Sequence, residues 1–285
     1  MHELTDGVII ETNLRGVTVG AVFTNEGVIL IDVPPFPDDA KRWRTTIQEY
    51  RNVPVQAVIV LDSHRDRMLG AWWFQPELLI AHIATHETLA SLSNSYVSSI
   101  ASALATNSRE HASLSIGRIM VPTVTFTSQM RLHFGDKTLL LSHRPGPTRG
   151  SIWVHLPESN ILFAGDSVVA ETAPYVNSPY SEEWLAALDY LQQALADVRL
   201  IPGRGNEIDL AAIEPMTRYL ELARHRVENL YEANRPPSEM VKIIHELLAL
   251  FPPPLEYELM EVQQRVRTGL QFIYNEFREK QQREH

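Results

Sequence analysis

Leu61-Asp62-Ser63-His64-Arg65-Asp66-Arg67-Met68-Leu69-Gly70 sets two acids, a histidine and two arginines between two apolar runs. The run before it, Ala57–Leu61, has the length and β-branched content of a buried strand, and Met68–Phe74 after it reads as a helix. Ionisable groups are thus gathered where a strand hands over to a helix. Working outward toward the N-terminus, Gly7–Glu11, Val17–Phe23 and Val28–Asp32 read as further strands. Pro37–Arg51, with Asp38 and Asp39 near its start and Asn52 and Pro54 beyond its end, has the signals of a helix that crosses between strands. The opening is therefore β-β-β-α-β.

Toward the C-terminus a short strand at Leu78–Ala81 precedes a Ser- and Ala-rich stretch from Glu87 to Thr106, helical with breaks. Met120–Thr127, Leu139–His143, Ser151–His155 and Ile161–Ala164 form a second strand series, with turns at Gly135-Asp136, Pro145-Gly146 and Pro157–Asn160. Two strand series, each with helices, suggest two packed sheets covered by helices. From Leu210 onward only helical periodicity remains. Pro215–Asn234, Ser238–Phe251 and Leu255–Gln281 are parted by Arg235-Pro236-Pro237 and Pro252-Pro253-Pro254, where proline stops one helix and sets up the next. The expected division is a sandwich domain over 1–209 and an all-helical C-terminal extension over 210–285. Leu259, Val262, Val266, Leu270, Ile273 and Phe277 make one apolar stripe on the last helix. A homodimer surface is expected to use it, with docking onto the main domain as the alternative.

Composition narrows the functions. Apolar residues are 44% of the 285-residue chain and charged residues 21%, values that disfavour disorder. With no cysteine, disulfides, thiolate zinc sites and a cysteine nucleophile are excluded, so any metal must sit on His, Asp or Glu. A net charge of −10 disfavours nucleic acid and anionic membrane as partners and leaves small molecules or proteins. The N-terminus has no basic segment followed by a long apolar one, and no run approaches the ~20 apolar residues of a membrane span, so a cytoplasmic location is expected. No G-x-S-x-G elbow, phosphate loop, dinucleotide fingerprint or Ser-His-Asp arrangement is visible.

Four segments join Leu61–Gly70: Gly146-Pro147-Thr148-Arg149-Gly150-Ser151, Phe163-Ala164-Gly165-Asp166, Trp184–Leu191 and Ile201-Pro202-Gly203-Arg204-Gly205. Their order and spacing resemble the metallo-β-lactamase superfamily, whose corresponding motifs read H-x-H-x-D-H, G-H-T-x-G-S, G-D and P-G-H-G. The resemblance implies an α/β fold, an αββα four-layer sandwich with its site at one edge, followed here by the C-terminal helical extension. It also implies seven side chains around two metal ions. Carried over by position, the first ion's ligands fall on Asp62, His64 and Pro147, the second ion's on Asp66, Arg67 and Arg204, and the bridging role on Asp166. The activity implied is metal-dependent hydrolysis.

The departures have physical weight. Proline carries no donor side chain, and a guanidinium stays protonated with no lone pair to offer a cation. Asp62, Asp66 and Asp166 would be three carboxylates in one pocket, and Arg67 and Arg204 replace histidines at the places nearest Asp66 and Asp166. Ion pairs among Asp66, Arg67, Asp166 and Arg204 are therefore expected in place of the second ion. The expected cofactor is none, and the expected protein a hydrolase relative with impaired or lost catalysis that keeps a pocket or an assembly role. The alternative is one divalent ion, manganese, iron or zinc, on Asp62, His64 and Asp166, serving hydrolysis of a small ester, thioester, amide or phosphoester, with Asp66 catalytic. Tyr175 and Tyr180 fall where the family builds part of its substrate rim. His143 and His155 on strands, and His82 and His86, read as structural, and Trp72-Trp73 as core.

Overall fold

The computed structural model of the chain describes residues 1–93, 95–169, 173–195, 197–251 and 259–284. Strands β1 (His2–Thr5), β2 (Val8–Glu11), β3 (Val19–Thr24) and β4 (Gly27–Ile31) run antiparallel; β5 (Val55–Ile59), β6 (Leu78–His82) and β7 (Val124–Phe126) then add in parallel, giving one seven-stranded sheet in chain order. Parallel pairing needs a crossover. Helix α1 (Pro37–Tyr50) supplies the first, with Pro37 in its first turn and Asp38 and Asp39 at the positive end of its dipole. It buries Ala40, Trp43 and Ile47 against Val28, Leu30, Val58 and Leu79 on the sheet's outer face. The alternate residues Ile29, Ile31, Ala57 and Ile59 face the other way, toward Leu139, Leu141, Ile152, Val154 and Phe163 of a second sheet. Covered on both faces, these strands read as unbroken apolar runs.

Helices α2 (Arg65–Met68), α3 (Gly70–Phe74), α4 (Ile83–Ser91), α5 (Tyr96–Leu104) and α6 (Ser108–Ser115) fill the connections. The second sheet comprises β8 (Gln129–Phe134), β9 (Lys137–His143), β10 (Ile152–Leu156), β11 (Ile161–Gly165) and β12 (Arg199–Pro202), ordered β12-β11-β10-β9-β8, with only β11 and β12 parallel. Helix α7 (Ser181–Ala194) makes that crossover and lays Trp184, Leu188 and Leu191 over Trp153, Leu162 and Leu200. Helices α8 (Glu214–Glu232), α9 (Val241–Leu250) and α10 (Leu259–Glu284) enter the same core through Tyr219, Leu220, Leu247, Val266, Leu270 and Ile273. The layers run helix, sheet, sheet, helix. Among the described residues no helix is long and apolar enough to cross a membrane.

Several elements differ from the sequence reading. β1, α6, β8, α7 and β12 are additional, and Met120–Thr127 contracts to the three residues of β7. The expected helix Met68–Phe74 begins earlier, at Arg65, and breaks at Leu69 into α2 and α3. The expected start of the last helix at Leu255 and the Pro252-Pro253-Pro254 stop lie outside the described residues. Of the apolar stripe, Val266, Leu270 and Ile273 are buried within the chain, whereas Leu259 is 54% exposed. α10 is pinned to the first turn of α7: Glu276 accepts from the Ser181 amide at 2.8 Å and its hydroxyl at 2.6 Å, and Arg224 closes the cluster.

Candidate functional site

Two parallel pairs of strands, one pair in each sheet, end at the same edge of the sandwich, and each strand hands a charged residue to one point. Asp32 follows β4, Asp62 and His64 follow β5, Asp166 follows β11, and Arg204 follows β12. The two sheets are tied there by the Thr18 amide donating to the Gly203 carbonyl at 2.9 Å and the Ile152 amide to the Leu61 carbonyl at 2.9 Å. Gly203 has to be glycine: a Cβ on it would stand 2.3 Å from Asp166 Oδ1. Gly165, at φ 57°, turns the chain so that Asp166 points inward.

Arg67 is the hub. Its side chain is fully buried; Nε meets Asp32 Oδ2 at 2.9 Å, Nη1 meets Asp66 Oδ1 at 3.1 Å, and Nη2 meets Asp166 Oδ1 at 2.7 Å. Nη2 also donates to the Gly203 carbonyl at 3.2 Å. Arg204 reaches in from the rim, with Nη2 at 2.6 Å from Asp66 Oδ2 and 2.8 Å from Asp166 Oδ2, while its Nη1 donates to the Gly16 carbonyl. Both oxygens of Asp166 are therefore held by guanidinium groups. His64 closes the other side, its Nδ1 lying 3.1 Å from both Asp62 Oδ2 and Asp166 Oδ2. Its backbone amide donates to Asp62 Oδ1 at 2.9 Å, and its Nε2 has no hydrogen-bond partner among the described residues.

Burial opposes every charge in this group, and the neighbours decide the outcome. For Asp166 burial pushes the pKa up, but Arg204, Arg67 and His64 overcome it and hold the carboxyl well below the usual range. Asp62 is likewise lowered, with His64 beating the burial penalty. His64 is driven down by burial and up by Asp62 and Asp166, and ends at about 10, so it is a cation at neutral pH. Asp32 goes the other way. Burial raises it, Arg67 only partly compensates, Asp62 and Asp166 raise it further, and it reaches about 7. Four carboxylates thus face three cations, and the fourth is half-protonated near neutrality.

The structure brings Asp62, His64, Asp66, Arg67, Asp166 and Arg204 together, and it adds Asp32, which the sequence reading left as the last residue of a strand. The available signal was a charged residue closing an otherwise apolar run. Pro147 is buried in the turn fixed by Thr148 and Ser151 and offers no donor. Tyr175 stacks on His64, ring centroids 5.9 Å apart, whereas Tyr180 takes the N-cap position of α7. His82 caps α4 through Nδ1 and meets the Thr127 carbonyl through Nε2, and it stacks on His143 at 3.6 Å. His86 meets the Pro122 carbonyl, and Trp73 donates to the Pro35 carbonyl. These groups are structural.

Among the described residues one set of donors could hold a metal ion: Asp62, His64 and Asp166, whose ligand atoms lie within 4.8 Å of one another. The position carried over for a second ion does not fit one, because Arg67 and Arg204 fill it with positive charge.

Comparison with known proteins agrees with this architecture. The model of the metallo-beta-lactamase superfamily matches residues 12–204. A metallo-beta-lactamase family protein from Thermus thermophilus is similar over 98% of this chain and 95% of its own, with a TM-score of 0.69 and 15% identity. A metallo-beta-lactamase from Pontibacter korlensis is similar over 77% of this chain and 97% of its own, with a TM-score of 0.59 and 21% identity. An 80-residue stretch is 34% identical to acyl-coenzyme A thioesterase MBLAC2 of Gallus gallus, covering 26% of this chain and 28% of that relative. The match therefore spans well under a third of the relative's length. With a family match that runs through every loop of the site from Gly16 to Arg204, on a sandwich of two sheets between helices, the chain belongs to the metallo-β-lactamase superfamily.

Proposed function

We propose that this chain is a hydrolase-fold protein in which fixed ion pairs stand at the place of the second metal ion, leaving it non-catalytic or strongly impaired, with a ligand-binding or assembly role. The observation that carries this reading is Asp166: Arg67 takes one of its oxygens at 2.7 Å and Arg204 the other at 2.8 Å. A carboxylate held from both sides by guanidinium forks has little left to give a cation. The protonated His64 then neutralises Asp62, which completes the network without an ion. A cytoplasmic setting goes with this reading.

A second reading rests on the Asp62–His64–Asp166 group itself. One ion bound there would displace the His64 proton and supply an activated water at neutral pH. Asp66 lies next to it as a base, and Tyr175 on His64 supplies a wall for a substrate. Substrates would be small esters, thioesters, amides or phosphoesters. The short match to an acyl-coenzyme A thioesterase favours testing thioesters first.

Elemental analysis of the purified chain, repeated after separate dialysis against manganese, iron and zinc, distinguishes the two, paired with an acyl thioester hydrolysis assay. The expected result is far less than one ion per chain and no turnover above background. One ion per chain with turnover that a chelator abolishes establishes the second reading instead.

A further inference from the structure

On the outer face of the second sheet, beside the end of α7, lies a cavity of about 280 Å³ that shares no residue with the charged site. Strand pairing aligns two neighbouring rows of side chains beneath it. Gln129, Ser142 and Trp153 form one row across β8, β9 and β10; Arg131, Leu140, His155 and Leu162 form the next. Tyr190 and Leu195 of the α7 segment wall one side.

Three side chains at this cavity carry a buried nitrogen with no hydrogen-bond partner among the described residues: Trp153 Nε1, Arg144 Nε and His155 Nε2. Trp153 is 1% exposed. The first two nitrogens can only donate, and His155 Nε2 donates in its Nε2–H form. Buried donors left unpaired are costly, so a cluster of them is a place where an acceptor would be favoured.

Charge points the same way. The Arg144 guanidinium sits 4.6 Å from the Tyr190 ring and 5.6 Å from the Trp153 ring, held by aromatic faces in place of a carboxylate. Arg131 lines the same cavity, and among the described residues no aspartate or glutamate does. This concentration of positive charge occurs in a chain whose net charge is −10. Met130, Leu140, Leu162 and Leu195 supply apolar wall beside the neutral polar Gln129 and Ser142.

We propose that this cavity binds a small organic anion, a carboxylate or phosphate monoester on an aromatic or short aliphatic body. Its charged group meets the Arg144 guanidinium beside the Trp153 indole, with Arg131 adding long-range attraction, and its body lies over Leu140, Leu162 and Leu195. The volume falls just below the roughly 300–1,000 Å³ typical of ligand pockets, which fits a single ring and excludes a large cofactor.

Isothermal titration of the full chain with phenylacetate, phenyl phosphate and the neutral benzyl alcohol tests this. At least one anion binds, benzyl alcohol binds about tenfold more weakly or worse, and Arg144→Gln removes that difference because the charged contact is gone. The two anion arms tell carboxylate from phosphate. Arg131→Gln, on the exposed edge strand, keeps the fold intact should Arg144→Gln unfold, and it weakens the anions several-fold while leaving benzyl alcohol unchanged. The proposal is overturned if neither anion binds at millimolar concentration, if benzyl alcohol matches them, or if both arginine variants bind anions as the wild type does.

Discussion

Replacing Arg67 by methionine keeps most of the side chain's length and removes its charge and all its hydrogen bonds. Three carboxylates, on Asp32, Asp66 and Asp166, lose a partner at once. Removing one member of a buried ion pair costs about 3–5 kcal/mol, because the other charge stays behind without compensation. Three orphaned carboxylates push the cost up, whereas Asp32, already at about 7, can relieve it by taking a proton. We expect a loss of about 4 kcal/mol near neutral pH, or about 8–16 °C in midpoint at the ~2–4 °C per kcal/mol of chains this large. Arg67→Lys keeps the charge but can reach only one carboxylate well, so it should fall between.

The pH dependence of that loss is the sharper test. Asp32 in the folded protein is raised above its ordinary 3.8, so its contribution to stability is full below 3.8 and is lost as pH rises through about 7. Without Arg67, Asp32 rises further and Asp166 climbs from its depressed value. The folded variant then holds protons that the unfolded chain has released, and its deficit grows with pH. Guanidinium denaturation of both proteins at pH 5.5 and 8, with slopes compared to confirm equivalent unfolding, reads this directly. A deficit below about 1 kcal/mol at pH 8, or one equal at both pH values, refutes the reasoning.

His64, raised from 6.5 to about 10, contributes stability that is full below pH 6.5 and lost as pH rises through 10, so the wild-type midpoint should fall across that interval; a His64→Gln variant should lack that fall, and an unchanged slope counts against the pairing. On the proposed reading, in which no ion is held, heating with and without EDTA should shift the midpoint by less than about 4 °C, because chelation then has nothing to couple to folding. The combined change Asp62→His, Arg67→His, Pro147→His and Arg204→His should bind zinc by elemental analysis, and failure to do so breaks the positional correspondence. Ile273→Asp, at a wholly buried position, should unfold or severely destabilise the chain, while Met260→Glu, 76% exposed, should leave stability unchanged and split the homodimer expected by light scattering; a wild-type monomer at tens of micromolar removes that expectation.

The sandwich was legible because its inner strands obey the rule for sheets covered on both faces. Val28–Ile31 and Ala57–Ile59 are continuous apolar runs, and few other arrangements bury both sides of such a run. β8 was harder. Met130, Leu132 and Phe134 alternate with Gln129, Arg131 and His133 without one β-branched residue, so only the period of two marks it as a strand. β1 is shorter still and lies at the sheet's edge, where pairing with β2 and not burial decides its state. Beside the break at Leu69 the chain packs tightly, since a Cβ on Gly70 would sit 2.4 Å from the Val33 carbonyl, and this contact depends on a segment distant in sequence.

The charged residues of the site were legible one by one, but their balance was not. Counting Asp62, Asp66 and Asp166 against Arg67 and Arg204 leaves one negative charge, and protonated His64 would cancel it. Asp32 breaks that tally. It stands at the end of β4 with φ 52°, accepts the Leu61 amide at 3.0 Å and takes Arg67 Nε at 2.9 Å, contacts that depend on two strands ending side by side. No spacing in the sequence announces such a meeting. Its consequence is that Arg67 cannot serve Asp166 alone: the same guanidinium also orients against Asp32, which locks its fork toward the interior. Arg67 is therefore fixed from behind before Asp66 and Asp166 meet it. A cation entering at Asp166 would have to displace an arginine whose departure leaves Asp32 buried beside Asp62, so on the proposed reading the barrier to a second ion comes as much from the residue behind the arginine as from the arginine itself.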